Sequence, residues 1–417
     1  MATQQPIFFK TIDTKSTTAT EYIPINTNNQ AWHVDESRSI MLVPTAGKFV
    51  EMNIKIDTAP SGASKKYTFS LMVNGVASTT LTGDITDTAT TLTVTMDQSI
   101  SAGDRVSLES DPVASPTAFG RIDGNFIWEP TTDDEYIYMG GHPSNTLNNA
   151  SEEWSPLNGG AHTWGGSRNK RAQTMPTAGT IKKLAIFVDG SPGVGKTFTF
   201  TVDKDGTGST ETVVIDDGDE NVTQFNNNDI WTITAGDNMA FSCVPASTPD
   251  IANAICSCVF VPTTTGQIPL LGGSGDNAMN IAATEYMQIG EQQNLTGTRT
   301  SVDLELVNVN ITFETFYVQL NSACGGDGYD CNLEIDTVSD ETIDVAIAGT
   351  GTAFNTTGAS VDVVAGEKLS IELVPDAGSA PTSARTIQYG LLFTFGAAPP
   401  AAARVIYQGI YNSSGMI

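Results

Sequence analysis

One seven-residue phrase occurs three times in this chain, and it constrains the fold more than any other feature. Ala102-Gly103-Asp104-Arg105-Val106-Ser107-Leu108 returns as Ala235-Gly236-Asp237-Asn238-Met239-Ala240-Phe241 and as Ala365-Gly366-Glu367-Lys368-Leu369-Ser370-Ile371. A second phrase, Pro44-Thr45-Ala46-Gly47, returns as Pro176-Thr177-Ala178-Gly179. A period near 130 residues is too long for a solenoid or a propeller blade, and each unit is large enough to hold its own core. The 417 residues leave room for about three such units.

The strand pattern is the next constraint. Tyr67, Phe69, Leu71 and Val73 alternate strictly, Asn74-Gly75 supplies a hairpin turn, and Leu92, Val94 and Met96 begin another alternating run. The second unit repeats this order with Leu184, Ile186 and Val188, then Phe198, Phe200 and Val202, then Asp205-Gly206. The third is the most divergent, with Phe313 to Leu320, Cys331 to Ile335 and Val361 to Val363 in the same places. Many short strands with frequent turn signals and no helical period predict an all-β chain of three tandem antiparallel β-sandwiches, jelly-roll-like, with an extended C-terminal tail. The expected units are 1–130, 131–265 and 266–396, followed by a tail over 397–417. The fragments Glu21-Tyr22-Ile23, Glu135-Tyr136-Ile137 and Glu285-Tyr286-Met287 are read as the recurring start of each unit.

Two segments read as standing outside the repeat. A loop over 140–171 carries Trp154 and Trp164 and ends in the basic cluster Arg168, Lys170 and Arg171, which suggests an outward-facing contact with a receptor or an acidic neighbour, with packing of the tryptophans onto their own domain as the equal alternative. The tail carries Val405, Ile406, Tyr407, Ile410 and Tyr411 beyond a Pro-Ala spacer, and its apolar character suggests docking on a neighbouring subunit.

Charge narrows the partners. A net charge of −27 repels phosphate backbones and anionic bilayers, so neither nucleic acid nor membrane insertion is expected. The N-terminus lacks the basic start and apolar run of a secretory signal, so synthesis in a cytoplasm is expected.

The motif search yields no catalytic or cofactor assignment. Gly190-Ser191-Pro192-Gly193-Val194-Gly195-Lys196-Thr197 spells a phosphate-binding loop, but the alternating Thr197 to Val202 predicts a strand where the phosphate cradle needs a helix. Asp203, Asp205, Asp216, Asp217, Asp219 and Glu220 read as solvated hairpin acids, with Ca²⁺ as the alternative. Cys324 and Cys331 could face one another across a turn, and Cys243, Cys256 and Cys258 could form at most one pair; buried thiols are the equal alternative. His33, His142 and His162 have no recognisable nucleophile or carboxylate setting.

The run Thr-Ala-Gly, strand, Ala-Pro-Ser-Gly-Ala, Tyr-Thr-Phe, Val-Asn-Gly, closing on Ala-Gly-Asp-x-Val-Ser-Leu, resembles the β-sandwich repeats of structural proteins in tailed bacteriophages and related viruses. It runs from Thr45 to Leu108, from Thr177 to Phe241, and partly through the third unit. The resemblance implies a non-enzymatic virion protein (capsid decoration, fibre, spike or tail) that forms homo-oligomers, contacts other virion proteins, and attaches to a host surface glycan or receptor. A secreted or cell-surface adhesin or filament subunit is the alternative, and a polysaccharide-degrading tail enzyme comes third.

Overall fold

The computed structural model describes residues 3–395 apart from 27–29, 160–163, 291–294, 300–301, 337, 377 and 379. The tail residues Val405, Ile406, Tyr407, Ile410 and Tyr411, and also His162, lie outside the described residues.

Strands account for nearly all of the regular structure, and among the described residues there is no α-helix. The first unit holds β1 (Gln5–Thr11), β2 (Glu21–Ile23), β3 (Met41–Leu42), β4 (Gly47–Ile56), β5 (Lys66–Val73), β6 (Val76–Thr86), β7 (Thr91–Ile100), β8 (Arg105–Val113) and β9 (Ile122–Pro130). The second holds β10 (Tyr136–Thr146), β11 (Glu153–Ser155), β12 (Gln173–Thr174), β13 (Gly179–Val188), β14 (Thr197–Lys204), β15 (Thr207–Gly208), β16 (Val213–Ile215), β17 (Gln224–Ile233), β18 (Asn238–Ala246) and β19 (Asn253–Pro262). The third holds β20 (Gln267–Gly273), β21 (Glu285–Met287), β22 (Leu304–Glu305), β23 (Ile311–Leu320), β24 (Tyr329–Ile335), β25 (Val338–Ile347), β26 (Ala353–Val363), β27 (Lys368–Pro375) and β28 (Ile387–Phe395).

The sheet orders make each unit a jelly roll. In the first, β1-β9-β4-β7 form one sheet and β2-β8-β5-β6 the other, all antiparallel. The second repeats this as β10-β19-β13-β17 and β11-β18-β14-β15, with β16 also on β14, and the third as β20-β28-β23-β26 and β21-β27-β24-β25. Apart from the hairpins β5–β6, β14–β15 and β24–β25, most neighbours in a sheet are far apart in the chain, the signature of two interlocked Greek keys. Asn74-Gly75 and Asp205-Gly206 turn their hairpins with positive φ at both positions, the type I′ geometry that follows strand twist.

The repeated phrase now has a physical cause. Gly103, Gly236 and Gly366 each take a φ between 90° and 97°, where a side chain is strained. Each donates its N–H across to the segment after the third short strand: Gly103 to Val43 O, Gly236 to Met175 O, Gly366 to Leu306 O. The acid that follows closes the turn on itself, with Asp104, Asp237 and Glu367 accepting from the backbone N–H of Ser101, Thr234 and Val364 at 2.7–2.8 Å.

The structure corrects the register of one fragment and the reading of one loop. Glu21–Ile23 corresponds to Glu153–Ser155 and Glu285–Met287, each paired to the strand that opens with the repeated phrase. Glu135-Tyr136-Ile137 instead runs into the first strand of the second unit. Residues 140–171 are therefore not an insertion, because their counterparts in unit one are the residues leading through β2 to the 3-10 turn Glu36–Arg38. The bridges Tyr22 to His33, Trp154 to Gly165 and Tyr286 to Thr296 mark the same position three times.

Candidate functional site: the axis and seams of a three-unit ring

Residues that are equivalent by the repeat meet one another, which happens only at a rotation axis. Asp134 Oδ1 accepts from Thr3 Oγ1 at 2.9 Å and from Gly266 N at 3.4 Å, and Thr3, Asp134 and Gly266 sit two residues before Gln5, Tyr136 and Ile268, which lie opposite Trp128, Phe260 and Phe393. Farther along, Asn26 Nδ2 donates to Asn158 Oδ1 at 3.2 Å, and Asn158 Nδ2 donates to Gly290 O at 3.1 Å, each step 132 residues in sequence. Between these points the first strands line a cavity of about 20 Å³, room for a single water. Gln5 fixes the inner strands by exchanging two hydrogen bonds with the Ile137 backbone, at 3.1 and 2.9 Å. Three jelly rolls thus stand around a pseudo-threefold axis in one chain.

Away from the axis, each unit reaches onto the next in the same way. β3 packs on β10, β13 and β19; β12 packs on β20, β23 and β28; β22 packs on β9. The third contact closes the ring from unit three back to unit one. It also explains why β9, β19 and β28 are buried along almost their whole length. One face of each covers its own sandwich and the other receives a neighbour, so β19 and β28 carry apolar residues without strict alternation, while β9 buries Asp123 and Asn125 on its receiving face.

The three seams use different chemistry at equivalent positions. Where unit one meets unit two the contact is apolar: Ile40 and Leu42 pack with Ala185, Phe187 and Ile255, and the Arg105 guanidinium lies 4.6 Å from the Phe187 ring centre. Beside it the buried Glu135 carboxylate accepts from Thr45 Oγ1 at 2.7 Å and pairs with Lys183 at 2.7 Å and Lys182 at 3.1 Å; those bonds hold it below the usual carboxylate range against the desolvation that would raise it. His142, half-buried here, is pulled down to about 4 by burial and stays neutral, its Nδ1 accepting from Ser144 N.

Where unit two meets unit three the equivalent positions are neutral and polar, with an ion-paired cluster of Arg171, Lys170 and Asp276 beside them. Gln319 and Gln388 replace Phe187 and Ile255, Asn238 replaces Arg105, and a cavity of about 100 Å³ remains among them. Gln388 Nε2 donates to Asn169 O at 3.3 Å, and Thr177, the second copy of Thr45, donates to Gln267 Oε1 at 2.8 Å. Gly390 lies so close to Thr174 O that an added Cβ would sit 2.1 Å away.

Where unit three meets unit one the contact is ionic. Lys55, Asp123 and Lys368 occupy the Phe187, Ile255 and Arg105 positions. Lys55 pairs with Glu305; Arg121 holds Asp123 and donates to Asp303 O at 3.0 Å; the fully buried Lys10 donates to Asp303 O. Asn125 Nδ2 donates to Val307 O at 2.7 Å, and Asn308 Nδ2 reaches Glu51 and Asn53 at 3.1 and 3.2 Å. Burial pulls the Lys10 ammonium down to about 8 despite Asp123 and Asp303 nearby.

Two of the candidate contact residues, Lys170 and Arg171, fall at a seam. Trp164 is the counterpart of the buried Trp32, only 4% exposed, with Nε1 donating to Ala254 O at 3.1 Å and its ring edge-on to Phe200 at 5.9 Å. It is core, and the expectation of an outward-facing tryptophan is corrected there. Trp154 is half-buried in β11. Arg171 and Lys170 do meet an acid across an interface, Asp276 at 2.9 and 3.2 Å, but that acid belongs to the third unit of the same chain; Arg168 pairs with Asp203 inside its own unit. Sequence reasoning missed Lys10, Asp123, Asn125 and Asp303, although a lysine directly after the apolar Pro6 to Phe9 run was a signal.

The remaining motifs take structural places. Lys196 pairs with Asp250 at 2.7 Å, and Thr197 opens β14, so the phosphate-loop lookalike is a strand-to-strand connection. All five cysteines are buried free thiols, including Cys324 and Cys331. Among the described residues no cluster of three His, Cys, Asp or Glu is placed to hold a metal.

No known protein family matches the chain, and no curated protein matches it in sequence. A chain from a crystal structure of the IBDV viral particle aligns over 96% of this chain and 79% of its own, at 8% identity and a TM-score of 0.14. Two chains at that score do not superpose as one fold.

Proposed function

We propose that this chain is a non-enzymatic structural protein of a virus particle, serving as a surface block of the shell. One observation carries the reading: three jelly rolls closed head to tail around a pseudo-threefold axis within a single chain. Such a block suits a threefold or pseudo-sixfold position of a closed shell without needing three separate chains to meet. The acidic surface favours solubility at the high local density of a particle. Capsid decoration fits this shape better than a fibre, because the ring is closed and its three units lie side by side instead of end to end. Contacts with other virion proteins, and attachment to a host glycan or receptor, fall to the outer loops and to the tail from residue 397.

The test is to raise an antibody to the purified protein and label particles from the source culture in the electron microscope. Regular labelling of the particle surface supports the proposal. Label confined to cell envelopes favours the adhesin alternative, and turnover of glycans or esters by the purified protein refutes the non-enzymatic reading.

A further inference from the structure

The ring has three seams but only two chain connections. Residues 131–135 tie unit one to unit two and 263–266 tie unit two to unit three, whereas nothing covalent joins unit three to unit one. The unbridged seam is the ionic one. The apolar cores divide in a related way: units two and three share one continuous cluster that takes in Phe8 and Ile127, while the rest of the unit-one core packs with Ile137 and Met139 of unit two and, at its edge, with Phe187 and Ile255. Among the buried core residues only Phe8 and Ile127 of unit one join the cluster that holds the core of unit three, so the unbridged seam is the thinly apolar one.

We propose that the seam between unit three and unit one is an exchangeable interface whose second partner is another copy of this chain. With the seam open, the segment around Asp303 to Asn308 of one copy seats on the β1–β9 face of another. The argument is one of complementarity. Lys55 matches the Glu305 carboxylate, Arg121 donates to Asp303 O and Asp123 accepts from the Glu305 N–H, whereas the equivalent receiving positions, Phe187 with Ile255 and Gln319 with Gln388, offer that charged segment no counter-ions. An open chain therefore finds its match only in unit one, its own or that of a second copy. Donor and receiver are different surfaces, so exchange is heterologous and yields closed dimers or longer rings. The inference is independent of the virion reading.

The experiment uses two full-length variants. Lys55→Glu and Glu305→Lys each place like charges across their own seam. In a mixed dimer both seams are matched, since each altered residue faces its altered partner and each native residue its native one. Native mass spectrometry of the equimolar mixture is expected to show a heterodimer that neither variant forms alone. The double variant Lys55→Glu/Glu305→Lys is expected to melt near wild type, which separates a seam defect from misfolding. In parallel, isotope-labelled and unlabelled wild type are held together in 1 M NaCl, where screening falls to about 3 Å, and returned to low salt. Mixed-mass oligomers support the proposal. A variant mixture that stays monomeric, or wild type that never mixes after the salt step, overturns it.

Discussion

Replacing Trp164 by Ala separates the core reading of this residue from the contact-loop reading that its sequence setting suggests. The ring is 4% exposed and packs edge-on to Phe200, so truncation leaves a cavity worth about 3–5 kcal/mol. It also strips the Ala254 carbonyl, in the strand next to the seam, of its indole donor, adding about 1 kcal/mol. The expected total is about 4–6 kcal/mol, a large fraction of what holds a domain of this size folded. Trp154 is half-buried and its indole N–H has no partner, so Trp154→Ala should cost under about 2 kcal/mol. Urea unfolding followed by far-ultraviolet circular dichroism measures both, read on the first transition because three units need not unfold together. A loss below about 1 kcal/mol for Trp164→Ala, or equal losses for the two variants, would refute the assignment.

The ring predicts a circular permutant. Because Pro130 and Tyr136, Pro262 and Gln267, and Phe395 and Gln5 are corresponding ends, joining 395 to 5 through about five residues and opening the chain at 263–266 should give a soluble protein with a wild-type spectrum; aggregation would count against the closed ring. Lys10 sets a pH dependence. Its folded pKa, about 8, lies below the ordinary 10.5, so the cost of burying the cation is present below pH 8 and is relieved as pH rises from 8 towards 10.5. Stability carried by this group should rise over that window by on the order of 3 kcal/mol, and Lys10→Met should flatten the rise in a pH series of melts. Lys196→Ala should leave folding unchanged and ATP binding absent in both proteins, since the side chain is spent on Asp250; nucleotide binding by the wild type that the variant loses would contradict this.

Much of the fold was legible because jelly-roll strands advertise themselves by alternation and by hairpin glycines. β5 and β14 share one pattern of burial, residue for residue, and Asn74-Gly75 and Asp205-Gly206 follow them in the chain. What failed was the stretch between the first and second long strands, where β2, β11 and β21 are three residues each and the rest is irregular. There the repeat survives in backbone bridges and in the pair Trp32 and Trp164, while intervening residues diverge, so 140–171 read as an insertion. The seams were illegible for a related reason. A residue that faces a neighbouring unit carries no periodic mark in its own strand, and Asp123 or Asn125 looks like an ordinary polar residue until the fold brings Asp303 and Val307 over it.

Fusing the three units into one chain has a physical consequence that a homotrimer cannot share. Three identical copies would be bound to one seam repeated three times, so any substitution would be felt at all three places at once. In a single chain each seam varies alone, and the equivalent positions have diverged to Phe187, Gln319 and Lys55 on one strand and to Ile255, Gln388 and Asp123 on its partner. What has not diverged is what the shared geometry needs: the glycine of each repeated phrase at positive φ, and the Thr45 and Thr177 hydroxyls that reach the first strand of the next unit. Linkers of about five residues already force unit two to lie beside units one and three. Matching seam chemistry is then least needed where the chain connects and most needed where it does not, and of the three sets of equivalent central positions the charged one lies at that unbridged seam. Apolar contacts there would bind any apolar face, including the one that unit two offers; charges accept only their complement. The ionic seam is thus the one place where the ring must recognise its own end, and its chemistry is the kind that discriminates.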